Sequence, residues 1–295
     1  MERNQNTEYV LSLSYGKDSI ATLEAIRILG YPLDRIVHAE VWATDSIPAD
    51  VPAMIEFKEK ADKIIKEKYG ITVEHICAMK NGERLSFEKC FYHKPKRRNQ
   101  KNEIQGFPIW GVPYCRSMLK LSAVQGVAVG NKTLVSKTEN RLCDKPFMGG
   151  ASNTITYLGI AADEQERIIR HTKPNVILPL VKIGWTENDC RKWCEDNDLL
   201  SPIYNHSARG GCWFCHLQGL DQLRLLRHEY PELWNLMLKW DIDSPHTFHA
   251  DGHTVHDLDR RFNAEDVGLI PKDRRFRWKM LEELEVQNES TNTDR

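Results

Sequence analysis

Short β-rich apolar runs alternate, through the first two thirds of the chain, with stretches whose apolar residues recur at helical spacing. Tyr9 to Leu13 is the first run. Ile20, Leu23, Ala25, Ile26 and Leu29 follow at spacings that suit a helix packed on a sheet, with Gly30 as its stop. Arg35 to Val41 predicts a second strand. Asp50 can cap a long helix running to Tyr69 and closed by Gly70, ahead of a third strand over Ile71 to Cys77. After an irregular middle come two more strand signals, Thr154 to Ile160 and Val176 to Leu180, and a capping box from Thr186 to Asp189 opens a helix through Asp198. Leu220 to Trp240 and Arg277 to Val286 have amphipathic helical patterns whose aromatic residues are most simply core.

This cadence predicts an α/β fold: a parallel sheet with helices on both faces, Rossmann-like, and ligands at the carboxyl ends of the strands. It divides the chain into an α/β domain over residues 1–200, a smaller and mostly helical Cys-x-x-Cys region over 201–285, and a polar, disordered tail over 286–295.

At 295 residues and 34.2 kDa the chain can bury a sizeable core. A net charge of -1 exerts no global pull on polyanions, so any such contact must come from a local patch. No stretch approaches the roughly 18 consecutive apolar residues of a membrane span. The opening MERNQNTEY lacks the apolar core of a signal peptide, which points to a cytoplasmic protein with no membrane partner. The eight cysteines are then read as buried apolar residues, metal ligands or reactive thiols rather than disulfides.

The first strand runs into Ser14-Tyr15-Gly16-Lys17-Asp18-Ser19 and then directly into a helix. Such a loop collects free backbone N–H groups and the positive end of the helix dipole, a ready place for phosphate. Gly16 admits an anion close to the backbone, Ser14 and Ser19 offer hydroxyls, Lys17 adds a charge, and Asp18 can cap the helix or orient a cation. A plain strand-to-helix turn capped by Asp18 or Ser19 explains the same residues. The stretch is neither the Gly-x-x-x-x-Gly-Lys-Ser/Thr loop nor the Gly-x-Gly-x-x-Gly turn.

The hexapeptide resembles the pyrophosphate-binding (PP) loop of the adenine nucleotide alpha hydrolase group, which includes ATP pyrophosphatases, sulfurylase subunits and phosphoadenosine phosphosulfate (PAPS) reductases. Further matches follow in order: Thr44-Asp45 after the second strand; Cys115-Arg116-Ser117-Met118-Leu119-Lys120, similar to a Cys-x-x-x-x-Lys element; Gly159-Ile160-Ala161-Ala162-Asp163-Glu164 with Arg167, similar to a Gly-Ile-Arg-x-x-Glu segment; and Cys212-Trp213-Phe214-Cys215. Over about residues 8 to 220 the chain is identified as a member of the PAPS reductase family. The resemblance implies an adenine nucleotide, ATP or PAPS, with Mg2+, bound by Ser14 to Ser19, Thr44, Asp45, Gly159, Asp163 and Glu164. Lys17, Asp18, Lys120 and Arg167 are the implied catalytic residues.

Departures redirect the reaction. Similar assimilatory reductases carry a nucleophilic cysteine near the C-terminus, whereas the last cysteine here is Cys215, and Ala162 stands where a basic residue is often near. The expectation is therefore an ATP pyrophosphatase-like enzyme that adenylylates a substrate oxygen with release of pyrophosphate, with a link to sulfur transfer. The alternatives are a sulfonucleotide reductase, and a noncatalytic nucleotide-sensing or nucleic-acid-binding module.

Cys212 and Cys215 can clasp one metal, zinc or an edge of an iron–sulfur cluster, but two ligands are not a site. The resemblance nominates Cys115 as a third. Cys194 is the first candidate for a fourth, followed by Cys190, Cys143 and His216, although Cys190 and Cys194 at i and i+4 on one helix can simply fill the core. The basic run Lys94-Pro95-Lys96-Arg97-Arg98 with Lys101 suits nucleic-acid phosphates or a solvated loop. His246, His249, His253 and His256 flank an Ala250-Asp251-Gly252 hairpin turn that would put them on a surface ribbon.

Overall fold

The computed structural model describes residues 1–95, 103–109, 113–121, 123, 128–129, 132–133, 154–205, 210–273 and 275–284. The elements run β1 (Glu8–Ser12), α1 (Lys17–Ile28), β2 (Arg35–Glu40), α2 (Pro52–Tyr69) and β3 (Val73–Cys77), then a small hairpin of β4 (Met79–Lys80) and β5 (Glu83–Arg84), and α3 (Phe87–Phe91). A π-helical turn, Arg116–Leu121, and the two-residue strands β6 (Ala128–Val129) and β7 (Lys132–Thr133) lead to β8 (Thr154–Tyr157), α4 (Gln165–His171), β9 (Val176–Ile177), α5 (Pro179–Ile183) and α6 (Glu187–Asp196). After the 3-10 turn Pro202–Asn205 come α7 (Leu220–Glu229), α8 (Pro231–Asp243) and α9 (Val255–Asp266).

All five predicted strands are present, and they form one parallel sheet in the order β3-β2-β1-β8-β9. Leu11 of β1 sits opposite Ile36 on one side and Tyr157 on the other. Side-chain alternation along each strand then sorts the core. Tyr9, Leu11, Ile36 and Val73 pack with Leu23 and Ile26 of α1, Phe57 and Ile65 of α2, and Cys190 and Cys194 of α6. Val10, Val37 and Ile76 pack with Trp213, Trp240, Phe248 and Phe262 on the opposite face. Residues beyond position 200 thus share one hydrophobic cluster with the strands' second face.

Several local expectations shift. Gly70 closes α2 in the left-handed region with φ 74, as its position suggests, but the N-cap is Val51, and the Asp50 carboxylate accepts from Lys58 instead. The amphipathic stretch from Leu220 breaks into α7 and α8 at Tyr230-Pro231, because proline has no N–H to continue the first helix. The Thr186–Asp189 capping box forms. The turn at Ala250–Gly252 forms without flanking strands: His256 bonds Asp241, and His253 stacks on Trp278 at 3.6 Å. Lys96 to Arg98, Lys101, Cys143 and the polar tail lie outside the described residues.

Candidate nucleotide-site cavity

Strand order reverses between β1 and β8, and an open parallel sheet leaves a crevice outside the carboxyl ends of its strands at such a point. A cavity of about 730 Å³ occupies it, bounded by the Ser14–Ser19 loop, the end of β2, the segment from Thr156 to Gly159, α4, and the π-helical turn. The loop is closed by its own hydroxyls. Ser19 Oγ accepts from the Ser14 amide at 3.1 Å and from Ser14 Oγ at 3.0 Å, and donates to the Gly16 carbonyl at 2.9 Å. No side chain caps α1 at Gly16, so neither Asp18 nor Ser19 is the cap, and Tyr204 Oη accepts from the Lys17 amide at 3.1 Å.

Gly159 acts by closeness. A Cβ there would sit 2.5 Å from Cα of Ser19, so only glycine lets the end of β8 lie against the start of α1. At Gly16 a Cβ would meet Tyr204 Oη at 3.3 Å, a tighter fit than an ordinary contact.

The proposed site residues divide into those that meet at the cavity and those that do not. Ser14, Tyr15, Gly16, Asp18, Ser19, Lys120, Gly159, Arg167 and Cys212 line it. Lys17 does not: its ammonium is held at 2.9 Å by both Asp18 and Glu187, and these partners outweigh burial and raise its pKa. Burial also raises the Asp18 carboxyl, with Lys17 opposing it. Thr44 and Asp45 lie elsewhere. Thr44 Oγ1 accepts from the Ile47 amide at 3.0 Å, while Asp45 pairs with Lys89 at 2.9 Å beside a different hollow near β4 and β5. Asp163 accepts from the Glu187 amide at 3.0 Å and Glu164 from the Ala161 amide at 3.1 Å, so both shape the loop around Arg167 instead of facing the cavity.

The cysteines separate cleanly. Cys115, Cys212 and Cys215 lie near enough to Lys120 and to one another for charge on one to act on the next, but their three sulfurs are not all within 4.8 Å of one another. Burial pushes Cys115 up to about 11 and Cys212 up to about 12, so without a metal both are neutral thiols and poor nucleophiles at ordinary pH. The structure does not bring Cys194 to them. It is fully buried in the opposite core, where its Sγ contacts the Lys17 carbonyl at 3.4 Å, and Cys190 beside it is equally buried. Their i, i+4 spacing is a core stripe.

Among the described residues, the group with three ligand atoms within 4.8 Å of one another is His38, Glu40 and His75. Hydrogen bonds account for it. His38 Nδ1 donates to the Leu13 carbonyl at 2.9 Å, its Nε2 accepts from Lys58 Nζ at 2.8 Å, and His75 bonds Glu40 at 2.9 Å and Asp62 at 2.7 Å.

Sequence reasoning missed several cavity residues. Tyr204 is one, and Arg116, His171 and Lys173 form a basic wall with Arg167. Burial lowers the His171 pKa, and Arg167, Lys173, Arg170 and Arg116 lower it further; its buried Nδ1 has no hydrogen-bond partner among the described residues. A readable signal existed for the histidines: His38 and His75 each interrupt an apolar run of a buried parallel strand, where a polar residue requires partners. No family model matches the chain, and no curated protein matches it.

Proposed function

We propose that this protein binds ATP at the Ser14–Ser19 loop and transfers its adenylyl group to a substrate oxygen, releasing pyrophosphate, in a reaction linked to sulfur transfer. The observation that carries the reading is the placement of this loop. An uncapped helix start and a serine-closed turn lie at the switch point of a parallel sheet, across one cavity from Arg116, Lys120, Arg167 and Lys173.

In this reading the loop amides receive the β and γ phosphates, and the Ser14 and Ser19 hydroxyls hold the loop in shape. Lys120 and Arg167 stabilise charge that grows on the phosphates as the α-phosphorus is attacked, so the protein's share is positioning and electrostatics. Asp18 faces the cavity with its carboxylate desolvated, a suitable oxygen donor for a divalent cation. Magnesium, when bound, disperses phosphate charge. Lys17 acts at one remove by holding Asp18 in place.

Cys115, Cys212 and Cys215 would be the soft donors to zinc or an iron–sulfur cluster, their sulfurs drawing closer around it, and Cys212 lines the cavity. Such a group would tie the π-helical turn to the C-terminal region. The test is calorimetric titration of anaerobically purified protein with ATP plus magnesium and, in parallel, with PAPS. Tight binding of ATP and weak binding of PAPS is expected. Preference for PAPS would replace the reading with a sulfonucleotide reductase, and binding of neither would remove nucleotide chemistry from this cavity.

A further inference from the structure

Beneath the loop lies a buried polar assembly that the chemistry above does not use. Tyr15 is a non-glycine residue at φ 57, in the left-handed region that an L side chain adopts at a cost, and its ring is 1 % exposed. Backbone so strained persists only where the surroundings determine it. Here they do. The Tyr15 hydroxyl donates to Asp62 of α2 and lies 3.1 Å from His75 Nε2 of β3. The same His75 nitrogen donates to Asp62 at 2.7 Å, and Nδ1 on its other side donates to Glu40 of β2 at 2.9 Å.

A ring that donates from both nitrogens is an imidazolium, and a carboxylate faces it on each side, so the buried positive charge has partners at both nitrogens. His38 packs edge-on against the Tyr15 ring at 4.8 Å and holds the Leu13 carbonyl, while Lys58 ties His38 to Asp50 on the cavity wall. Leu13 and Tyr15 are thus gripped from below, while Ser14 and Gly16 between and beyond them border the cavity.

We propose that Asp62 and His75 are positioning residues for the Ser14–Ser19 loop: through the Tyr15 hydroxyl they lock residue 15 in its left-handed conformation and so present the following amides to an anion. Neither Asp62 nor His75 lines the cavity. Their effect on ligand affinity rests on the nucleotide reading, whereas their effect on the loop does not.

The experiment measures two quantities in the full chain: hydrogen exchange of the Gly16 to Ser19 amides, and calorimetric affinity for ATP plus magnesium. Tyr15→Phe and Asp62→Asn are each expected to speed loop exchange about tenfold and weaken ATP about tenfold, and the double variant to do no worse than the stronger single. Tyr157→Phe is the control. It removes another phenol hydrogen bond, to the Pro32 carbonyl at 2.7 Å, and should lower the melting temperature while leaving loop exchange and affinity unchanged. If Tyr15→Phe does not fold, His75→Gln carries the same expectation. Unchanged loop exchange in the folded variants, or additive effects in the double variant, would overturn the proposal. Wild-type protein that ignores ATP would overturn the nucleotide reading alone, and loop exchange would still decide the role of Asp62 and His75.

Discussion

On one side of the cavity the charges are already answered: Lys17 is held between Asp18 and Glu187, and the imidazolium of His75 sits between Asp62 and Glu40. On the other side, among the described residues, Arg116, Lys120 and Lys173 form no ion pair, and Arg167 alone has a carboxylate, Glu164. The loop wall is therefore built for shape. Its electrostatic cost was settled in folding, and it offers backbone donors in a fixed arrangement. The basic wall keeps like charges together at the edge of solvent, a repulsion that a bound anion relieves. On the function proposed above, a ligand with several phosphate charges would meet both walls at once, its geometry matched by one and its charge by the other.

The largest way to break this division is at the seam. Gly159→Ala would force a Cβ against Cα of Ser19 at 2.5 Å, with backbone on both sides and no flexible side chain to yield. The cost should reach about 3 kcal/mol in urea unfolding, together with loss of ATP binding. A milder change, Gly16→Ala, meets the Tyr204 hydroxyl at 3.3 Å and Ser14 Oγ at 3.5 Å and should weaken binding with little loss of stability.

The cysteines sharpen the comparison next. Cys212→Ser is expected to abolish bound zinc or iron, measured by elemental analysis of anaerobic protein, because it removes one of the three thiols proposed as ligands. Cys194→Ser should keep the metal content and instead cost about 1 kcal/mol or more, since it buries a hydroxyl in an apolar core. Equal metal loss in both variants would return Cys194 to the ligand set.

The basic wall should respond to salt as the loop wall does not. Lys120→Ala is expected to weaken ATP about tenfold at low salt and to flatten the decline of affinity with ionic strength, as removal of a cation that forms no ion pair among the described residues requires. Lys17→Met is the contrast: its charge is spent on Asp18 and Glu187, so the salt dependence should survive it.

Much of this arrangement was legible from spacing. Alternating apolar runs located all five strands, and the hexapeptide located the loop, because both depend on local pattern and on where Cα atoms fall. Side-chain direction was not legible. The resemblance implies Lys17, Asp163 and Glu164 at the site, yet each carboxylate or ammonium finds a partner within the protein, and competition among partners across the fold is invisible in one dimension. Asp45 fails for the same reason, drawn to Lys89. Cys194 carried the warning in its spacing from Cys190, since a helix that packs one face on a sheet buries both.

The histidines give the smallest effect and the finest test of how the loop wall is held. Burial and the nearby Lys58 push His38 well below the ordinary value of about 6.5. For His75 burial acts in the same sense, but Asp62 and Glu40 outweigh it and raise the pKa. The two therefore load stability onto opposite limbs of the pH profile. His75 contributes fully below about 6.5, and its share is lost as pH rises through its raised folded value. His38, neutral in the fold, contributes fully above about 6.5, and its share is lost as pH falls toward its depressed value. Urea unfolding followed from about pH 5 to 9 should then show His75→Gln flattening the alkaline limb and His38→Gln the acid limb, each by about 1 kcal/mol. Both variants flattening the same limb would mean that the two rings share one protonation state, and the imidazolium would no longer distinguish the support beneath Tyr15 from the one beneath Leu13.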